Sequence, residues 1–333
     1  MAETPGSGPW SAQPSLDREA IEAVVTAAAW APSILNCQPW RFHAYQGVVD
    51  VFAVPEAAPL HLDPTCREVY LSLGAAVLNL RLAIGAHGRS AAVQVLPTPL
   101  DRTLVARVRI GSRAQLSAEE QALYDAIRLR RSSRNPFSDQ PVSYEDLMRL
   151  QDAASVEGAH LDAVTGRHRS TIVEALHDAD REQRSDPAVV HEVRGLTVGR
   201  ERSDVGVPVE SLGPRPLDPS AVTRDLALGQ HVPGRPAADF EDEALLAVLL
   251  TSADETADWL RAGMALERVL LTATVRGLSV GILSHATEEA DLRGVVRDPT
   301  TAWRHPQIVL RIGYGDPMPP TPRRPLAEIL EVS

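Results

Sequence analysis

YLSLGAAVLNLRLAIGAHG, residues 70–88, and WLRAGMALERVLLTATVRG, residues 259–277, decide the fold when set one over the other without a gap. Gly74 falls on Gly263, Ala76 on Ala265, Leu82 on Leu271 and Gly88 on Gly277, at a constant offset of 189. Each opens on an aromatic, carries small residues early, is apolar nearly throughout and ends at a glycine. That is the composition of a central helix packed closely on a neighbour and stopped by a left-handed residue. The flanks repeat too. A short aliphatic run precedes each helix, VVDVFAV (48–54) and LLAVLL (245–250), and another follows, AAVQVL (91–96) and SVGIL (279–283). A further strand ends in RIG both times, VARVRIG (105–111) and QIVLRIG (307–313). Two apolar helices can look alike by chance, but five elements recurring in order predict a duplication.

Each half opens with an amphipathic helix, LDREAIEAVVTAAAWA and VSYEDLMRLQDAA, the second with a capping box at Ser143 and Asp146. The chain therefore reads as two α+β units in tandem, residues 15–112 and 113–333, a dimer fused into one polypeptide with an approximate two-fold axis. Two stretches break the symmetry. Residues 113–137 add a helix capped by Ser117 and Glu120 that runs into an arginine cluster. Residues 185–242 are long and rich in Pro and Gly, as lids and binding loops are.

Composition narrows the chemistry. A net charge of −11, from 44 acidic against 33 basic residues, argues against a nucleic-acid partner, because nonspecific affinity for a phosphate backbone needs clustered positive charge. All 33 basic residues are arginine, so Schiff-base chemistry and a P-loop lysine are excluded. Cys37 and Cys66 cannot make a disulfide framework, and a reducing compartment is the simplest home. The start MAETPGSGPWSAQPS has no signal-peptide pattern and no apolar run reaches transmembrane length without a charge. The expectation is a cytoplasmic protein, without a membrane partner, preceded by a disordered tail over 1–14.

Three motifs carry candidate chemistry. In LRRSSRNPF, Arg130, Arg131, Ser132, Ser133 and Arg134 form a compact donor set suited to a dianionic phosphate; solvated arginines answering a helix dipole, or a phosphorylation site, are the other readings. PPTPRRPLAEIL places Arg323 and Arg324 beyond the last strand, as a second basic cluster or a solvated tail. In APSILNCQPWRF (31–42), Ser33, Asn36 and Gln38 could hydrogen-bond the edge of a flat heterocycle while Pro32 and Ile34 pack its face; an elaborate helix stop with local side-chain to backbone bonds is the alternative. GLSVG (277–281) fits the G-x-S-x-G elbow, but a helix precedes it and a strand follows, the reverse of what a nucleophile on Ser279 needs. No GxGxxG follows a strand, and the ten histidines show no zinc spacing, so no metal site is expected.

Together the APSILNCQPW turn, the arginine and serine run, the central helix leading into GLSVGIL and the C-terminal arginine resemble the FMN-dependent nitroreductase superfamily. The fused chain is similar to its actinobacterial Acg-type subgroup, from about residue 15 to the end. The resemblance implies a three-layer α/β/α nitroreductase-like fold, here an internally duplicated single-chain pseudo-dimer, with FMN between the units. It implies phosphate ligands at Arg130, Arg131 and Ser132 with Arg323 or Arg324, and Arg134 at the flavin N1/O2 edge. Pro32, Ser33, Asn36 and Gln38 would lie along the isoalloxazine, and main-chain N–H near N5 would come from Val280, Gly281 or Ile282. No side chain need act as acid or base. The first half lacks an arginine cluster before its opening helix, and the second has ASVEGAHLDAV where the polar turn should be, so one FMN per chain is expected. The implied activity is hydride transfer through flavin N5, with NAD(P)H as donor, to a nitroaromatic, quinone or similar acceptor. A non-catalytic protein that stores FMN beneath a lid at 185–242 is the alternative. An internal pseudo-dimer removes the usual reason to dimerise, so a monomer is expected.

Overall fold

A computed structural model of the chain describes residues 15–197, 204–297 and 303–333; the tail expected over 1–14 lies outside the described residues. The first unit runs α1 (Arg18–Ala29), β1 (Trp40–Tyr45), β2 (Val48–Ala53), α2 (Arg67–Ala86), β3 (Arg89–Val95) and β4 (Leu104–Arg113), followed by α3 (Ala118–Ala126). The second opens with α4 (Tyr144–Val156), β5 (His160–Val164), α5 (Gly166–Ser185) and α6 (Pro187–Thr197), then crosses the short pair β6 (Arg215–Pro216) and β7 (Ala237–Ala238). It continues with β8 (Leu245–Thr251), α7 (Thr256–Val275), β9 (Ser279–Leu283), α8 (His285–Glu288), α9 (Ala290–Val296) and β10 (His305–Gly313). A C-terminal arm ends in α10 (Leu326–Ile329) and β11 (Leu330–Val332).

The duplication is visible in the strand order. One sheet runs β11-β1-β2-β4-β3 and the other β5-β8-β10-β9. Without β11, the first order maps onto the second when β1 is matched to β5, β2 to β8, β4 to β10 and β3 to β9. Every pairing within these four-strand sets is antiparallel, and β11 alone adds in parallel, beside β1. The arm therefore leaves the second unit and completes the sheet of the first.

Helices α2 and α7 cross between the units, and the sequence explains how closely. A Cβ on Gly74 would stand 2.0 Å from the Leu260 carbonyl oxygen and 2.9 Å from the Gly263 Cα. A Cβ on Gly263 would stand 2.0 Å from the Leu71 carbonyl oxygen and 2.9 Å from the Gly74 Cα. Leu71 and Leu260 are themselves related by the offset of 189, so the crossing maps onto itself under the approximate two-fold. Each helix then contributes to the other unit's core: Leu260, Met264 and Leu271 join the first cluster, and Leu71 joins the second. Although α2 is the one helix among the described residues long and apolar enough to span a bilayer, it is buried between the sheets.

Local signals set the helix ends. The Asp17 carboxylate accepts from the Ala20 N–H at 2.9 Å, and the Ser117–Glu120 capping box is complete. At α4 half of the expected box forms. Ser143 Oγ accepts from the Asp146 N–H at 3.0 Å, but the Asp146 carboxylate takes the Ser143 hydroxyl at 2.7 Å rather than the backbone, because it also holds Arg276 at 2.6 Å. Ser279 opens β9 and donates to the Gly315 carbonyl at 2.9 Å.

Candidate functional site

The turn after α1 is built at a local cost. Leu35, Asn36 and Gln38 all have positive φ, three of the seven such non-glycine residues among the described residues. Each such residue costs about 1–3 kcal/mol unless its surroundings hold it. The surroundings do. Ser33 Oγ accepts from the Gln38 N–H at 3.0 Å, and the Ile34 N–H donates to Ser72 Oγ on α2 at 3.1 Å. The Asn36 amide donates to the carbonyls of Gly206 at 2.9 Å and Pro322 at 3.1 Å, while its oxygen accepts from Arg323 at 3.1 Å. Gln38, fully buried, donates to the Asp204 carbonyl at 2.6 Å and accepts the Arg324 N–H at 2.9 Å. Most of these bonds reach far along the chain, so the turn is more than a helix stop: it clamps the 204–206 segment and the C-terminal arm.

That clamp carries Arg323 back over the end of α1. Its Nε donates to the Ala29 carbonyl at 2.7 Å, one Nη to the Trp30 carbonyl at 3.1 Å, and its guanidinium carbon lies 5.1 Å from the Trp30 ring centre. From the other side the stretch after α3 lies along the outer edge of β9, where Ser132 bridges Val280 in parallel and the Ser133 N–H donates to the Val280 carbonyl at 2.7 Å. This brings Arg130 to the Trp30 carbonyl at 3.3 Å and sets Arg131 over the same indole at 5.5 Å. Among the described residues no carboxylate lies within ion-pair distance of Arg131 or Arg323; Arg130 faces the fully buried Glu267 at 3.5 Å. Three guanidinium groups so placed repel one another. Burial, then Arg130 and Arg131, push the Arg323 group down to about 9.

These groups open onto one pocket with about 1090 Å³ of space unfilled by atoms, part of it open to solvent. Pro32, Ser33 and Asn36 line it, with Arg130, Arg131, Ser132, Arg134, Ile282 and Arg323. The other sequence candidates stand apart. Arg324 does not line the pocket: its guanidinium lies 3.6 Å from Glu328 and donates to the Gln38 carbonyl at 3.4 Å. Gln38 sits behind the turn as its anchor. Val280 and Gly281 do not line the pocket; the Val280 carbonyl is taken by Ser133, and Gly281 is covered by the Ser133 carbonyl, 3.1 Å from where its Cβ would be.

The far wall was not legible in the sequence. Leu71, Ser72 and Ala75 of α2, Leu266 of α7 and Ile308 of β10 supply a mostly apolar strip, and Glu68 stands at its end. The 204–242 segment adds Val207, Ser211, Arg224 and Leu226. Its apolar residues Val207, Leu212, Leu226 and Leu228 share a cluster with Ile34, Leu35 and Cys37 of the turn. Arg224 holds the fully buried Glu288 through two bonds, at 2.6 and 2.9 Å. Arg134 donates to the Ser211 carbonyl at 3.0 Å, and burial, then Arg224, lower its guanidinium to about 10. The Glu68 carboxyl is raised by burial and by Glu288 beside it. The signal for these residues was present as charged or hydroxyl groups inside apolar helices, but nothing in the pattern said which face they take.

The residues fit a flavin phosphate. A strip of aliphatic side chains for a flat ring leads to three arginines that share one buried carboxylate, Glu267, and among the described residues the Arg130 Nε has no hydrogen-bond partner.

Comparison with known proteins gives the family. The sequence model of the nitroreductase family matches residues 9–96. A Mycobacterium tuberculosis protein named "putative NAD(P)H nitroreductase" is 34% identical over 331 residues, covering 95% of this chain and 92% of that protein. A second from the same organism, the "putative NAD(P)H nitroreductase acg", is 30% identical over 320 residues, covering 94% of this chain and 96% of its own. Among solved structures, the FMN-dependent nitroreductase NfnB of Mycobacterium smegmatis, in complex with NADPH, aligns with a TM-score of 0.40 and 19% identity over 64% of this chain and 98% of that one. A nitroreductase of Bacteroides fragilis with bound FMN aligns with a TM-score of 0.36 and 13% identity over 58% and 88%.

Proposed function

Since this chain belongs to the nitroreductase family, we propose that it binds one FMN per polypeptide and works as an oxidoreductase, the flavin carrying hydride from NAD(P)H to a nitroaromatic, quinone or similar small acceptor. The observation that carries the reading is the convergence of Arg130, Arg131 and Arg323 around Trp30. Three guanidinium groups crowded around a single buried carboxylate, Glu267, call for a further anion, and a phosphate monoester dianion satisfies several at once. Ser132 adds a hydroxyl donor. Pro32, Ser33, Asn36 and Ile282 line the same pocket and would flank the ring, and Arg134, half-buried and charged, would stabilise negative charge that a reduced flavin carries. Gln38 and Arg324 act at one remove, by fixing the turn to the arm. The internal pseudo-dimer replaces a homodimer, so the working unit is a monomer.

A second reading is favoured by one feature. The 204–242 segment packs over the turn and fastens beside the pocket through the buried Arg224–Glu288 pair, as a lid that stores FMN would. Anaerobic mixing of the flavin-loaded protein with NADPH and with NADH separates the two. Rapid bleaching of the flavin's visible absorbance is the result expected of a reductase. Flavin that stays oxidised under excess nicotinamide, yet is reduced by dithionite, rejects the reductase reading in favour of storage.

A further inference from the structure

Glu267 has no place in the scheme above. It lies in the middle of α7, fully buried, with its carboxylate 3.5 Å from the Nε of Arg130, itself buried. Neither carboxylate oxygen, nor the Arg130 Nε, meets hydrogen-bond geometry with a described partner, although the Asn79 amide of α2 lies beside the carboxyl. The charged groups that face it are Arg130, from the stretch after α3, and Arg323, from the C-terminal arm; the next residue, Arg268, turns away to Glu157 at 2.7 Å. A buried carboxylate without hydrogen bonds is expensive, and here it is sustained by two guanidinium groups that also line the proposed phosphate site.

We infer that Glu267 is the internal counter-ion of that site: a phosphate monoester settling on Arg130, Arg131 and Arg323 takes over their charge, and the Glu267 carboxyl takes up a proton as the ligand binds. The inference rests on the phosphate assignment proposed above. Its physical basis is competition. With the site empty, the guanidinium groups favour the ionised carboxyl. With a dianion on them, a second anion buried a few ångströms away is repelled, and the neutral acid becomes the stable form. Burial, opposed by Arg130, already sets this carboxyl at about 7 in the empty site, so the exchange falls in an accessible range. The linkage has a definite sign. Above that value the empty protein must gain a proton to bind, so the Kd for a phosphorylated ligand rises with pH, towards about tenfold per unit. Riboflavin, which has no phosphate, leaves the Arg130–Glu267 pair intact and binds without proton exchange. Glu267 thereby couples selection of the phosphorylated flavin to pH.

The test is calorimetric titration of FMN into the flavin-free full-length protein at pH 8, in Tris and in HEPES, whose ionisation heats differ. At this pH a phosphate monoester is already fully dianionic, its second pKa being about 6. The expected result is uptake of roughly one proton with FMN and none with riboflavin. Glu267→Gln, close in shape, should abolish the uptake and flatten the rise in Kd between pH 8 and pH 9. Should that variant not fold, inorganic phosphate titrated into the wild-type protein at pH 9, where it too is essentially all dianion, should show proton uptake, and its absence overturns the inference. FMN binding with no proton exchange, or with uptake unchanged in Glu267→Gln, overturns the inference alone. Absence of FMN binding overturns the phosphate assignment and this inference with it.

Discussion

Residues 30–39 and 157–159 occupy equivalent places in the two halves and have opposite characters. Each links an opening helix, α1 or α4, to the first strand of the equivalent sheet, β1 or β5. The second link is minimal: Gly158 takes φ +79 and the strand begins, the left-handed stop that a glycine makes cheaply. The first spends three non-glycine residues at positive φ and two amide side chains on the same topological task. The charges differ as well. At the end of α1, Arg130, Arg131 and Arg323 gather around Trp30, and among the described residues only Arg130 has a carboxylate, Glu267, within ion-pair distance. At the end of α4, Glu157 takes the corresponding place and holds both Arg81 and Arg268, the latter at 2.7 Å. One end is neutralised within the protein. The other holds three guanidinium groups for one buried carboxylate, Glu267, beside three of the seven non-glycine residues at positive φ among the described residues. A duplicated fold thus supplies its own control: topology requires what both halves share, and the site requires what only one half has.

The comparison breaks most sharply at Glu157. Replacing it with Ala leaves Arg268 buried without a partner and should cost about 3–5 kcal/mol of stability in denaturant unfolding, with the flavin content of the folded fraction unchanged. Burial acts to raise this carboxyl, but the hydrogen bonds and charges of Arg81 and Arg268 carry it below the usual range. Its contribution is therefore present above the ordinary carboxylate pKa and lost as pH falls through the lowered one, and Glu157→Gln should remove that acid-side dependence. Next comes Arg323→Ala, which should weaken FMN binding about 10- to 100-fold, from the loss of bonds to a charged group worth about 1.5–3 kcal/mol. Arg324→Ala, one residue on, should change it by less than about threefold. Fluorescence titration of both variants sharpens the contrast between the two adjacent arginines.

The shared features should respond alike. Gly74→Ala and Gly263→Ala each drive a Cβ against backbone of the other helix and should cost about 1–3 kcal/mol, equal within error if the crossing is two-fold. A large difference between them would count against the symmetry. Smallest is Gly158→Ala, where the new Cβ meets nothing within 4 Å and only the positive φ opposes it, at about 1 kcal/mol.

The central helices, the strands that repeat and the arginine run were legible because each is a local pattern: apolar stretches bounded by glycine, alternating aliphatic residues, charges in a row. β11 was not legible. LEV at 330–332 is too short to signal a strand, and its partner β1 lies almost the whole chain away. Bonds to Ala29, Trp30 and Asn36, nearly 300 residues earlier, hold Arg323 rather than Arg324 at the pocket, which the sequence left open. Glu267 was in view, inside ALERVLL, but a single charge in an apolar helix acquires meaning only when Arg130 is found opposite it. Asn36 and Gln38 read in the sequence as ligand-facing amides, yet their side chains are engaged by Gly206, Asp204 and the arm, contacts that no local rule anticipates.

The most direct measurement is the ratio of FMN to polypeptide after reconstitution with excess flavin and removal of the unbound fraction, read from the visible spectrum against protein concentration. A site assembled once, from the strained turn of one half and the arginines that only one end of the fold gathers, gives a ratio of one. A ratio near two would mean that the end at Glu157 also binds flavin, and a ratio near zero that neither end does; each would contradict the account.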